Sequence, residues 1–238
     1  MKKEVLIFLH MNDKGPGYIT DFLAANNIPF RLLRGYDNEP IPQLTPDIAG
    51  LVFMGGVMSA NDDISWLKDE MRLIQQALDA NVPILGHCLG GQLISKVCGQ
   101  SISKNPVVEI GWHRCQQQDN FIAKQWLGDL DDFQMFHWHY ETFSIPYEMG
   151  ASHIFSSPHC NNQAYVIGDN VLAMQCHVEM TEPLVISWLE SCQENLVNSN
   201  ESEQNFKEIK KALPAKIAEL NQVAERLYSR WLTSLNLD

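Results

Sequence analysis

Short apolar runs alternate with helical patterns through the first hundred residues, and this alternation limits the fold more than any other feature of the sequence. Residues 5–9 are continuously apolar, as in a strand covered on both faces. Gly15-Pro16-Gly17 ends that run. Residues 18–26 then read as a helix with Ile19, Phe22 and Leu23 on one face. Residues 29–33 form a second short strand, the proline-rich stretch 40–46 a loop, and residues 50–54 a third buried strand ended by Gly55-Gly56. Asp62 and Asp63 stand where they can cap a helix over 64–80, in which Trp66, Leu67, Met71, Ile74 and Leu78 recur at helical spacing. A fourth strand over 82–85 leads into a helix over 90–97, stopped by Gly99. Such alternation predicts βαβ units: an α/β chain folded as a three-layer sandwich around a mainly parallel central sheet.

Beyond residue 100 the pattern changes. Residues 101–174 hold short β-like pieces at 106–110, 133–139, 164–167 and 171–174. The polar stretch 195–204 reads as a linker or an exposed helix end. Residues 206–235 are helical, with Pro214 marking a break or a helix start. Ile217, Leu220, Val223, Leu227, Trp231 and Leu232 form an apolar stripe suited to covering a core. The expected organisation is a catalytic domain over 1–195 and a helical extension over 196–238 packed on it.

Composition narrows the function. The 238 residues carry 17 Lys and Arg against 29 Asp and Glu, a formal charge of −12, which repels nucleic-acid backbones and anionic lipid. An apolar share of 45 % with 19 % charged residues suits a globular core and excludes a disordered or coiled-coil chain. No apolar run approaches the ~18 residues of a membrane span, and the first apolar run is too short for a signal peptide. The six cysteines, Cys88, Cys98, Cys115, Cys160, Cys176 and Cys192, show no Cys-x-x-Cys motif and no disulfide framework, so the reducing cytoplasm is the expected compartment.

The most informative segment is Gly86-His87-Cys88-Leu89-Gly90-Gly91-Gln92, where a buried strand runs straight into a helix. G-x-C-x-G at such a junction has the form of a nucleophile elbow, whose sharp turn lifts the side chain clear of the sheet. The helix N-terminus behind it favours a thiolate and a developing oxyanion. The same pattern also suits a structural cysteine beside a tight turn. A thiol nucleophile needs a base, and the base an orienting partner. His177 and Glu179, two apart at the end of the strand-like run 171–175, share one face of an extended chain.

Three blocks, Phe53-Met54-Gly55-Gly56-Val57-Met58-Ser59, Gly86-His87-Cys88-Leu89-Gly90-Gly91-Gln92 and Gln175-Cys176-His177-Val178-Glu179, resemble in order and spacing the class I, or triad, glutamine amidotransferases. The nearest likeness is to stand-alone proteins similar to the amidotransferase domain of GMP synthase. Glu109-Ile110-Gly111-Trp112, the segment 136–143 and Cys160-Asn161-Asn162-Gln163 support that subgroup. The resemblance implies a flavodoxin-like sheet and a Cys–His–Glu triad. Cys88 would be the nucleophile, His177 the base and acid, and Glu179 the orienting group. The N–H groups of Gly56 and Leu89 would form the oxyanion hole, and Gly55, Gln92, His139 and Glu141 would contact substrate. It implies no metal and no organic cofactor.

Five positions depart from the family pattern: Val57 and Val178 stand where proline is usual, Cys176 replaces phenylalanine, His87 a small or apolar residue, and Tyr140 a frequent glycine. His137 and His139 form H-x-H, but two histidines need further ligands, and Trp138 and Phe143 suggest a packed strand end instead. The implied activity is hydrolysis of the glutamine side-chain amide, releasing ammonia. The sequence carries no P-loop and no second catalytic domain after residue 180, which points to a separate ammonia-accepting synthase partner. Two alternatives stay open: a γ-glutamyl peptidase or hydrolase acting on γ-glutamyl conjugates, and a catalytically silent binding module.

Overall fold

The computed structural model describes residues 3–37 and 39–237. Its first part builds the alternation in order: β1 (Glu4–Leu9), α1 (Tyr18–Ala25), β2 (Phe30–Arg34), β3 (Ile48–Phe53), α2 (Ser65–Asp79), β4 (Ile84–His87) and α3 (Leu89–Val97). The second part comprises β5 (Ile102–Gln117), α4 (Phe121–Leu127), β6 (Asp132–Phe143), β7 (Ala151–Ser156), β8 (Ala164–Ile167), β9 (Val171–Met174), α5 (Glu182–Ser191), α6 (Phe206–Lys210) and α7 (Leu213–Leu232). The strands join in one sheet of order β2-β1-β3-β4-β9-β8-β7-β5-β6. The end from β2 to β9 is parallel, and the remainder is antiparallel.

The apolar runs are continuous because both faces of the sheet are covered. Along β1, Val5, Ile7 and Leu9 enter one core, and Leu6 and Phe8 the other. The first core is closed by α1, α4, α5, α6 and α7, the second by α2 and α3. Three layers follow directly from that alternation. No helix among the described residues is long and apolar enough to cross a membrane.

Local differences from the sequence reading have physical causes. Helix α2 starts after Ile64, which gives no side-chain cap. Asp62 instead accepts from the Ser59 N–H at 3.0 Å, and Asp63 pairs with Lys68. The buried face of α2 includes Glu70, Leu73 and Ala77, while Met71 and Leu78 are only partly covered. Strands β5 and β6 run for 16 and 12 residues, much longer than their apolar pieces, because polar residues, some exposed on β5 and others buried such as Glu109 and His137, interrupt the pattern. The polar stretch before α6 is tied down. The Ile110 N–H donates to the Ser202 carbonyl at 2.9 Å, and the Gln204 side chain makes two hydrogen bonds to the Trp112 backbone, each 2.9 Å. Its polar groups extend the hydrogen bonding of β5. Pro214 lies in the first turn of α7, after a break at Ala212.

Helix α7 packs on α1, α4, α5 and β6. Its buried face holds Leu220, Val223, Ala224, Leu227, Tyr228 and Trp231, extending the stripe by a tyrosine. Leu227→Ala should therefore lower the unfolding free energy by about 2–5 kcal/mol in urea titrations, and the exposed Gln222→Ala by less than about 0.5. Equally small effects from both would show that α7 is not part of the core.

Candidate active site

Strand β4 passes into α3 through Cys88, whose backbone has φ 47° and ψ −105°. Asn27, Asn81 and Ala212 share a positive φ, but they flank helix ends away from this turn. A cysteine held there is strained, and such strain persists only where the surroundings impose it. The imposing contact is the approach of α3 to the ends of β3 and β4. A Cβ on Gly86 would fall 2.6 Å from the Gly90 carbonyl carbon, and one on Gly90 would fall 2.1 Å from the Phe53 carbonyl oxygen. The Cys88 N–H donates to the Met174 carbonyl on β9 at 2.8 Å. Cys88 borders a cleft of about 760 Å³ on the elbow side of the sheet.

His177 and Glu179 follow β9. The His177 N–H donates to the Phe136 carbonyl at 2.8 Å, fixing the loop to β6, and its ring meets Trp188 edge to face at 4.9 Å. Its Nδ1 donates to Glu179 Oε1 at 2.7 Å, which turns the other nitrogen to the Cys88 thiol. Burial alone would make His177 less basic. The facing Glu179 carboxylate and the Cys88 sulfur outweigh it and push the imidazole up to about 10. Glu179 shifts the other way: against burial, the imidazole of His177, which faces and hydrogen-bonds it, holds its carboxyl below the ordinary range. The Glu179 carbonyl accepts from the Tyr18 N–H at 2.8 Å.

The loop after β3 brings Gly55 and Gly56 to the same point. A Cβ on Gly55 would fall 2.8 Å from His177 Cε1 and 3.6 Å from Cys88 Cβ. Gly56 abuts Leu89. Neither the Gly56 nor the Leu89 N–H has an acceptor among the described residues. The loop is anchored by His10, whose Nδ1 is hydrogen-bonded to the Met54 carbonyl at 2.8 Å and whose Nε2 is hydrogen-bonded to Glu70 at 2.9 Å. The sequence reading gave His10 no role. The signal for it was Glu70, an acidic residue on the inward side of α2.

The cleft wall includes Met58, Ser59, Gln92, His139, Glu141 and His177, with Val57, Val107, Trp138, Tyr140 and Trp188 adding an apolar share. Glu141 accepts from the Ser59 hydroxyl at 2.7 Å. Gln92 donates to Gln175 Oε1 at 3.2 Å, and Gln175 Nε2 donates in turn to Cys88 Sγ at 3.5 Å. Gln175, two residues before His177, is a site neighbour the sequence reading did not single out. Tyr140 is part of regular β6, and its φ is not positive.

His139 lines the cleft, but its nitrogens point into the protein. Nδ1 is hydrogen-bonded to the Glu141 carbonyl at 3.0 Å and Nε2 to Glu109 at 2.8 Å. Glu109, across the β5–β6 ribbon, also accepts from Gln163 at 2.7 Å. Glu109, His137 and His139 form a buried cluster with ligand-type atoms within 4.8 Å of one another, a third group that H-x-H alone does not reveal. Burial holds His137 down to about 3. Burial would raise Glu109, but the flanking histidines bring it down to about 2.

Along most of its length the chain is similar to known proteins. The family model for "Glutamine amidotransferase class-I" matches residues 24–184. A crystal structure of a glutamine amidotransferase from Methylobacillus flagellatus is 42 % identical, with a TM-score of 0.95, over 100 % of this chain and 97 % of that one. A glutamine amidotransferase from Thermotoga maritima is 25 % identical, with a TM-score of 0.84, over 97 % and 98 %. The glutamine amidotransferase-like protein YfeJ of Salmonella typhimurium is 25 % identical over 86 % of this chain and 85 % of its own length. With its family model covering well over half of its length, the chain is a member of the class I glutamine amidotransferases.

Proposed function

We propose that the protein hydrolyses the side-chain amide of glutamine through a Cys88–His177–Glu179 triad, by way of a thioester on Cys88. The observation that carries this reading is the strained Cys88 at the N-terminus of α3, facing an imidazole whose other nitrogen is held by a buried carboxylate. The Cys88 thiolate attacks the amide carbon. The oxyanion that forms lies against the N–H groups of Gly56 and Leu89. His177, as imidazolium, protonates the departing ammonia. Neutral His177 then takes a proton from water, whose attack releases glutamate and the thiol. Glu179 fixes the imidazole orientation and stabilises its charge. Gly55 and Gln92 shape the pocket, with Glu141 and the His139 segment on its far wall. Residues 1–195 form the catalytic unit with 196–238 packed on it, and the released ammonia passes to a separate synthase partner in the cytoplasm.

A second reading has its own support. A cleft of about 760 Å³ lies in the range that holds drug-sized ligands, larger than glutamine requires. Its apolar wall suits a bulkier leaving group on the same γ-glutamyl carbonyl, as in a γ-glutamyl hydrolase. Comparing glutamate release from glutamine and from γ-glutamyl peptides by the isolated protein separates the two. Higher kcat/KM for the peptides selects the second.

Under either reading, Cys88→Ala should abolish glutamate release, and full activity in that variant would sink the triad assignment. Glu179→Gln should lower kcat by about 10²–10⁴-fold. The raised His177 keeps its proton at all pH values below about 10, so activity should fall as pH rises through that value. Removing the carboxylate charge should move this basic limb to lower pH, and a pH–rate profile in which it stays in place would contradict the pairing.

A further inference from the structure

The triad carboxylate has a second neighbour that the reaction does not use. Glu179 Oε1 is taken by His177, and Glu179 Oε2 has no hydrogen-bond donor among the described residues although it is buried. The polar atom facing it is His87 Nε2, 3.9 Å away. That nitrogen is also 2.8 Å from the hydroxyl of Tyr228 on α7. His87 and Tyr228 are each fully buried, and neither lines the cleft. His87 stands beside the elbow where the family usually has a small or apolar side chain, so the contact belongs to this chain's own departure from the pattern.

We infer that Tyr228 and His87 are positioning residues: the Tyr228 hydroxyl donates to His87 Nε2 and occupies the lone pair through which His87 would otherwise carry a proton to Glu179 Oε2. The carboxylate is thereby left to His177. This inference rests on the triad reading. Burial lowers His87 from its ordinary value, in keeping with a neutral ring that accepts from the tyrosine. The titratable groups facing His87 are Glu179 and His177 from the loop after β9, Cys88 next in the chain, and Tyr228 from α7, with Cys176 facing Tyr228. Tyr18 on α1, itself hydrogen-bonded to Glu225 at 2.6 Å, lies behind Tyr228. Among these, Glu179 is the carboxylate close enough to capture a protonated His87. That capture would draw the carboxylate from His177 and weaken the thiolate–imidazolium pair.

The test is Tyr228→Phe in the full chain, which removes one oxygen and keeps the packing. Histidine ¹⁵N NMR, assigned with His87→Gln, should show His87 titrating about half to one unit higher than in the wild type, the worth of one hydrogen bond. The acid limb of kcat/KM should rise by a similar amount with KM unmoved. In Tyr228→Phe/His87→Gln, which has no ring to protonate, the limb should fall back to its wild-type position or below it. An unchanged His87 titration in a folded Tyr228→Phe protein, or a limb that stays shifted in the double variant, overturns the inference. A wild type that turns over neither amide overturns the function and the positioning role with it, while the His87 titration still decides the hydrogen bond.

Discussion

The site depends on how closely α3 lies against the ends of β3 and β4. Only glycine at positions 86 and 90 permits that approach, because a single methyl at either would enter the backbone opposite. Once the helix is this close, the chain must reverse within one residue, and Cys88 takes the strained conformation. The same contact brings Leu89 beside Gly56 and the Gly55 backbone against His177. One packing distance thus gathers thiol, imidazole and two unengaged N–H groups at one point.

Around that point the protein buries three carboxylates, each against a histidine: Glu179 with His177, Glu70 with His10, and Glu109 with His139. An isolated buried charge is costly, and a hydrogen-bonded partner offsets much of that cost. The pairs hold three different pieces of backbone or side chain. Glu179 orients the imidazole at Cys88, Glu70 fixes the carbonyl before Gly55 through His10, and Glu109 fixes the strand that carries Glu141. A network of this kind gives the pocket a rigid frame at the edge of the sheet, where loops alone would be mobile.

The sequence was legible where a residue's role is local. Continuous apolar runs gave β1, β3 and β4 because both faces of those strands are covered, and the glycine spacing about Cys88 marked the elbow directly. Legibility failed where partners meet across the fold. Glu109 and His139 are register partners 30 residues apart, His10 and Glu70 lie on different elements, and Tyr228 reaches His87 across 141 residues. Strands β5 and β6 are legible only as fragments, since buried polar residues such as Glu109, His113, His137 and His139 break up the apolar signal. The stretch 195–204 reads as a linker or an exposed helix end because the hydrogen bonds of Ser202 and Gln204 go to β5 backbone, and no side-chain pattern records that.

The conformation of Cys88 also bears on how long a chain like this one keeps its chemistry. A non-glycine residue at such a φ and ψ costs about 1–3 kcal/mol, a large fraction of the few kcal/mol by which a domain of this size is stable. Folding alone would favour glycine at position 88. A lineage that no longer needed the thiol would gain stability by the exchange, and drift would carry it there. A cysteine at a glycine's place is thus a cost to folding, which the proposed role of its thiol would account for.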